Sequence, residues 1–385
     1  MNNTLQNLMR QATQLTQAGR LNQATAAIQR ALRGETADGA APDPAQAWAS
    51  GSGPGGAHAE ASPLVLDGCV FEVGAQTPAA TESRTRTDTP ASAGEFTSGT
   101  HTHGALTRRF KLYTPPGQGG QPMPLVVMLH GCTQNPDDFA AGTGMNQRAR
   151  AQGFCVLYPE QSQDANPSLC WNWFKHNHQQ RARGEPALLA SMTQAVMKQH
   201  GIDPRRVFIA GLSAGGAMAA IVAAAYPDIF AAVGVHSGLP TGSASNVAEA
   251  LMVMKSGELG IVMPGKGGHL GAAMKSTLRP QTAVPTIVFH GDKDTTVHPR
   301  NGEQVVAAVM GSSEAGTRVE QGVSAKGRRY TRSTRHADHG RALTEHWLVH
   351  GAGHAWSGGS AEGSYTDATG PDATREMLRF FFNQG

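Results

Sequence analysis

The sequence predicts an α/β fold, with a mostly parallel central sheet and helices on both faces. Three observations point there. Residues 125–129, 155–158 and 207–210 are short, continuously apolar runs, as expected of strands covered on both sides. Helix-like segments alternate with these runs, which is the pattern of crossover connections in a parallel sheet. The third is the stretch 206–226, where a β-branched run passes into an Ala-rich one through Gly211-Leu-Ser-Ala-Gly215.

The chain has 385 residues, room for one large domain and an appendage. Hydrophobic residues make up 39% and glycine 47 positions, so a compact core is diluted by a low-complexity segment. Residues 1–34 read as a helical hairpin. Leu5, Leu8, Met9, Ala12, Leu15 and Ala18 recur at helical spacing, Gly19 to Asn22 interrupts, and Ala24, Ala27, Ile28 and Leu32 form a second stripe. The hairpin resembles half of a tetratricopeptide-type unit. Its stripe needs cover from the main domain, another copy or a partner. Residues 35–93, rich in Gly, Ala, Ser, Pro and Thr, read as a low-complexity linker, with 64–71 read as a short strand or a segment docked on the surface.

The folded domain is expected over 94–385. Residues 106–113 alternate and read as an antiparallel edge strand, ended by Thr114-Pro-Pro-Gly117. The strand at 125–129 follows, then a helix over 137–150, a strand at 155–158 and a helix over 185–200 opened by Pro186. Residues 207–210 are a strand, 214–225 a helix and 230–236 a strand. Residues 238–283 form an insertion read as a lid or a helical decoration. Strands at 286–290, 330–334 and 342–349 come next. A C-terminal helix over 371–382 packs through Met377, Leu378, Phe381 and Phe382.

Charge and cysteines narrow the function. Net charge is +3, and the positive charge is scattered apart from Lys326-Gly-Arg-Arg329, read as a solvated loop. Nucleic acid is therefore not an expected partner. The N-terminus lacks the apolar core of a Sec signal, and no run suffices to span a bilayer. A cytoplasmic protein is expected, with export by a non-Sec route as the alternative. None of Cys69, Cys132, Cys155 and Cys170 forms a C-x-x-C pair, so no metal or redox motif is expected. Cys155 reads as a core thiol. A bridge between Cys132 and Cys170 stays open, because spacing does not set Cα separation.

The chemistry begins at Ser213. G-x-S-x-G by itself also describes a serine-capped glycine turn. Strand before and helix after are the context of a nucleophile elbow, which lifts the Ser213 hydroxyl above the sheet. The Ala214 N–H then points at the same space and suits an oxyanion. A serine nucleophile needs a base and a group to orient that base. In α/β hydrolases the acid and then the histidine follow the serine along the chain. His290-Gly-Asp-Lys-Asp294 offers Asp292 and Asp294 after a strand; Asp294 is the expected acid, and Asp292 a turn cap. Gly351-Ala-Gly-His354 puts His354 on a glycine loop after the next strand, where a base reaches back over the sheet. A second oxyanion N–H is expected from Leu129-His-Gly-Cys-Thr-Gln134, at Cys132 or, second, at Thr133. Trp171 and Trp173, in a loop without apolar alternation, and Trp356, beside His354, are expected to wall the substrate site. No metal or organic cofactor is required.

Taken together, these motifs resemble the esterases of the poly(3-hydroxybutyrate) depolymerase type, related to feruloyl and acetylxylan esterases. The resemblance runs from about Phe110 to Phe382. It includes Tyr158-Pro-Glu-Gln161, Cys170-Trp-Asn-Trp-Phe174, His236-Ser-Gly-Leu-Pro240 and Gly353-His-Ala-Trp-Ser-Gly-Gly359. It implies an α/β-hydrolase fold and carboxylic-ester hydrolysis by Ser213, His354 and Asp294. The expected substrate is a short-chain hydroxyalkanoate ester, polymeric or small, with aryl or acetyl sugar esters as the alternative. A reading outside enzymology is a granule- or partner-binding protein that docks through residues 1–34.

Overall fold

The computed structural model describes residues 93–117, 120–258, 283–310, 316–337 and 340–384. The hairpin expected at 1–34, the linker at 35–92 and most of the 238–283 insertion lie outside them.

The apolar runs become the middle of a ten-stranded sheet. In chain order the strands are β1 (Glu95–His103), β2 (Leu106–Thr114), β3 (Met123–Leu129), β4 (Cys155–Pro159), β5 (Ile202–Leu212), β6 (Ala232–His236), β7 (Thr286–Gly291), β8 (Thr317–Val323), β9 (Arg329–His336) and β10 (Ala342–Val349). Across the sheet their order is β1-β2-β4-β3-β5-β6-β7-β10-β9-β8. The centre from β4 to β10 is parallel, and both flanks are antiparallel. A small parallel pair, β11 (Trp356–Ser357) and β12 (Thr366–Asp367), follows.

The helices are α1 (Pro136–Thr143), α2 (Met145–Gln152), α3 (Gly184–His200), α4 (Ala214–Ala225), α5 (Val247–Ser256), α6 (Arg300–Met310) and α7 (Ala373–Phe382). Two hydrophobic layers fill the faces. Leu125, Val127 and Leu129 of β3 join the layer containing Met192 of α3 and Met218 and Val222 of α4. Val126 and Met128, one residue out of phase, join the layer under α1, α2 and α7. That is why β3 is apolar at every position. Phe381 of α7 stacks on Phe208 of β5 with ring centroids 5.1 Å apart, anchoring the last helix across the middle of the sheet.

Four expectations change. β2 is not the edge, because β1 pairs along its whole length. Glu-Phe-Thr-Ser-Gly-Thr-His-Thr-His lacks an apolar rhythm and faces mostly solvent, so its sequence carries little strand signal. β8, largely exposed and likewise without strand signal, extends the other flank beyond β9, the strand expected at 330–334. The helix expected over 137–150 is two helices: Gly144 takes φ +63°, ending α1 and starting α2. Helix α6, between β7 and β8, was not expected; its apolar face is narrow, with Val305 and Met310 buried.

Candidate active site

β5 ends at Leu212 and α4 begins at Ala214, so the whole turn is Ser213. Its backbone holds φ 58° and ψ −120°, a strained conformation for a residue with a side chain. A Cβ on Gly215 would run into the Leu129 carbonyl, and one on Gly211 into the first turn of α4. Only glycine allows strand and helix to approach so closely. The Ser213 N–H donates to the His236 carbonyl at 2.8 Å, tying the elbow to the end of β6.

The loop after β3 lies beside this elbow. The Thr133 N–H donates to the Ser168 carbonyl at 2.8 Å and is not available to a substrate. The N–H groups of Cys132 and Ala214 have no hydrogen-bond partner among the described residues. Of the two donors considered for this loop, Cys132 is the one left open. The loop is braced. The Gln134 side chain accepts from the Gly131 N–H at 2.9 Å and donates to Asp138 at 2.8 Å. His130 donates from Nδ1 to the Gly131 carbonyl and accepts the Gln161 N–H at Nε2, which sets its tautomer. Burial pushes the His130 pKa down. A disulfide joins Cys132 to Cys170, 38 positions on, and closes the question that spacing left open.

The residues expected as acid and base, Asp294 and His354, follow the carboxyl ends of β7 and β10. His354 Nδ1 lies 2.7 Å from Asp294 Oδ2. Asp294 Oδ1 accepts the N–H groups of Thr296 and Val297, at 2.9 and 2.8 Å. His290 Nε2 stands 3.4 Å from Asp294 Oδ2 and 2.8 Å from the Val297 carbonyl. Burial alone would raise the Asp294 pKa. Hydrogen bonds from His290 and His354 outweigh it and hold the carboxyl well below the usual range. Asp292 turns elsewhere, to His350 Nδ1 at 3.0 Å and the Gly351 N–H at 2.7 Å. It does not cap its own turn but clamps that turn to the end of β10. Among the described residues no hydrogen bond joins Ser213 Oγ to His354 Nε2, a contact that often tightens only with substrate bound.

His236 ends β6, the strand next to the one that leads into Ser213. Its Nε2 accepts the Ser357 N–H at 2.9 Å, so the ring is neutral with its proton on Nδ1, facing Ser237 Oγ. Burial, with His290 and His354 nearby, lowers its pKa to about 3. The ring stacks between Trp356 and Phe289.

The aromatic wall expected of Trp171, Trp173 and Trp356 is absent. All three are buried, at 0%, 4% and 1% exposure. Trp356 packs edge-on against Phe139 and donates from Nε1 to Thr374 Oγ1 at 3.0 Å. Trp171 and Trp173 turn into the other layer. The cause is Glu185, fully buried, which accepts both the backbone and the side-chain N–H of Asn172 and draws the loop inward. The exposed aromatic beside the site is Tyr365. Its backbone holds φ 51° and its hydroxyl lies 3.2 Å from Thr133 Oγ1. Sequence reasoning missed Tyr365, His290 and Glu185. Only His290 carried a signal, as the first residue of the motif that ends in Asp294.

Among the described residues no helix is long and apolar enough to cross a membrane. Residues 108–337 match the model of the family described as Esterase PHB depolymerase. Poly(3-hydroxyalkanoate) depolymerase C of Paucimonas lemoignei is 34% identical over 213 residues, 52% of this chain and 50% of that protein. Acetylxylan esterase A of Emericella nidulans is 29% identical over 203 residues, 50% of this chain and 63% of that protein. The chain thus spans between half and two thirds of the length of these curated relatives. An acetyl xylan esterase structure from Aspergillus awamori superposes with a TM-score of 0.57 at 19% identity, covering 74% of this chain and 99% of that one. The fold is that of the α/β hydrolases.

Proposed function

The chain belongs to the Esterase PHB depolymerase family, and from that premise we propose that it is a serine carboxylic-ester hydrolase acting on short-chain hydroxyalkanoate esters. The observation that carries the reading is Ser213 itself, held at φ 58° between β5 and α4 with the His354–Asp294 pair over neighbouring strand ends. Ser213 Oγ attacks the ester carbonyl as His354 Nε2 takes its proton. Asp294 stays ionised, keeps the His354 proton on Nδ1 before attack and stabilises the imidazolium after it. The Cys132 and Ala214 N–H groups receive the oxyanion. His354 then protonates the departing alcohol, activates water against the acyl-enzyme and releases the acid.

The hydroxyalkanoate class follows from similarity to the depolymerase of Paucimonas lemoignei. An acetyl or feruloyl ester is the second reading, supported by the similarity to acetylxylan esterase A. The Cys132–Cys170 bridge favours an oxidising compartment, and so the exported alternative over the cytoplasmic one. Contact with a polymer granule or a partner through residues 1–34 is a companion proposal. Loss of granule binding with retained ester turnover on deleting them would support it.

The test is p-nitrophenyl butyrate hydrolysis by wild type and Ser213→Ala, beside amorphous poly(3-hydroxybutyrate), acetylated xylan and methyl ferulate. Ser213→Ala should lose on the order of 10⁴-fold or more in kcat. A fully active variant would overturn the serine mechanism. Preference for acetylated xylan or methyl ferulate would keep the mechanism and overturn the substrate class.

A further inference from the structure

The basic stretch Lys326-Gly-Arg-Arg329 forms the turn between β8 and β9. Because β9 runs antiparallel to β10, with Tyr330 opposite Val349, this turn lands at the sheet edge that carries the acid and base loops. A cavity of about 580 Å³ opens there, lined in part by Asp292, Lys293, Lys326, Arg328, Arg329 and His350.

Its charges are unbalanced. Arg328 is engaged, donating to the Gly351 carbonyl and Thr369 Oγ1 and pairing with Asp367 at 3.2 Å. Asp292, the only carboxylate among the lining residues, is already held by His350 and the Gly351 N–H. The side chains of Lys293, Lys326 and Arg329 have no hydrogen bond or ion pair among the described residues. Lys293 acts through space on Asp292; with Lys326 and Arg329 it still leaves the concavity an excess of positive charge, which concentrates positive potential and attracts an anion.

The frame behind them is braced. Lys293 is fixed by its own N–H to the Ala352 carbonyl at 3.0 Å. The β8–β9 turn closes on itself through the Ser324 N–H and the Arg328 carbonyl, at 2.8 Å, and Ser324 Oγ ties it to the Thr369 carbonyl.

Position selects the anion. Lys293 is adjacent to Asp294, and Gly351 lies three residues before His354. His354 must protonate the leaving oxygen, so the departing alcohol lies on this flank, away from the Cys132 loop. From β5, where Ser213 sits, to β10 is three strand steps, roughly 15 Å across the sheet. In an oligomer of hydroxy acids the free carboxylate lies on the alcohol side of every ester, and an ester several units in from that end places the charge this far away. The interior of a polymer chain offers no such charge.

We infer that this cavity is an exosite for the free carboxylate of an oligomeric hydroxy-acid ester, which directs the enzyme to chain ends and soluble oligomers. The inference rests on the serine-esterase reading above. The test compares a 3-hydroxybutyrate hexamer as free acid and as methyl ester, on the full chain and on Lys326→Glu/Arg329→Glu. The wild type should favour the acid by about tenfold in kcat/KM, mostly through KM, and high salt should narrow the gap. Charge reversal should remove the preference. Should the reversed protein fail to fold, Lys326→Gln/Arg329→Gln serves, with a smaller loss. Equal treatment of acid and methyl ester by the wild type, or a preference unmoved by the substitutions, overturns the exosite. If p-nitrophenyl butyrate is not hydrolysed at all, the esterase reading fails instead. Calorimetric titration of the two hexamers into both proteins then still decides whether the cavity binds the carboxylate.

Discussion

The ends of β7 and β10 carry two histidine–carboxylate pairs. Asp294 meets His354 at 2.7 Å and Asp292 meets His350 at 3.0 Å. Both carboxyls are pushed below their ordinary pKa by hydrogen bonds that outweigh burial. The likeness ends with the surroundings. Side-chain exposure is 0% and 12% in the first pair, and 31% and 32% in the second. Asp294 gathers two backbone N–H groups and a second imidazole; Asp292 gathers one backbone N–H. The far nitrogen of His350 is occupied by Thr331 Oγ1 at 2.8 Å, whereas that of His354 has no partner among the described residues. Thr331, His350 and Asp292 thus imitate the order hydroxyl, imidazole, carboxylate. Yet Thr331 sits within the β9 ladder, opposite Leu348, with no elbow to present it. On the proposed serine mechanism, a hydrogen-bonded trio is insufficient; the nucleophile must also be lifted from its strand and the pair shielded from water.

The sharpest way to break this contrast is Asp294→Asn. kcat should fall on the order of 10³–10⁴-fold with little change in KM, because the His354 tautomer is lost. An equal fall in Asp292→Asn would reverse the assignment of the two pairs.

Anchorage on the opposite flank can be probed separately. Opening the Cys132–Cys170 bridge, by reductant or Cys170→Ser, releases a loop of 38 positions. It should cost about 4 kcal/mol in chemical denaturation and lower kcat through the Cys132 N–H. Unchanged stability and turnover in reductant would show that the loop is held by Gln134 and His130 alone.

Beside the first pair, His236 is buried and neutral. Its pKa is about 3 in the fold against 6.5 in the unfolded chain. As pH falls below about 6.5 the unfolded chain takes up the proton first. Stability is therefore lost progressively from there down to about 3, and nothing is lost above it. His236→Gln should flatten the plot of unfolding free energy against pH by about 1.4 kcal/mol per unit in that window. An unaltered slope would mean the proton is taken up elsewhere.

The smallest effect is expected from Asp292→Asn. Its pair is one-third exposed and screened, so stability should change by about 1 kcal/mol or less and kcat by less than about tenfold.

Much of this was legible in the chain, because it depends on neighbours along the sequence. Continuous apolarity marks a strand covered on both faces, and so 125–129 and 207–210 could be placed. The elbow is local chemistry, two glycines around Ser213 between a strand and a helix. Asp294 and His354 followed because each comes just past a strand end, and parallel strands bring those ends to one edge. Tertiary structure decided what depends on distant partners. Trp171 and Trp173 were drawn inward by Glu185, and Trp356 was taken up by His236 and Thr374. Thr133 was removed as a donor by the Ser168 carbonyl. Cys132 and Cys170 came within bonding reach only once both loops had docked. The polar edge strands β1 and β8 exist because a partner strand pairs with them, not because their residues prefer to be strands. Periodicity reports the face a residue presents; only packing reports what meets it there.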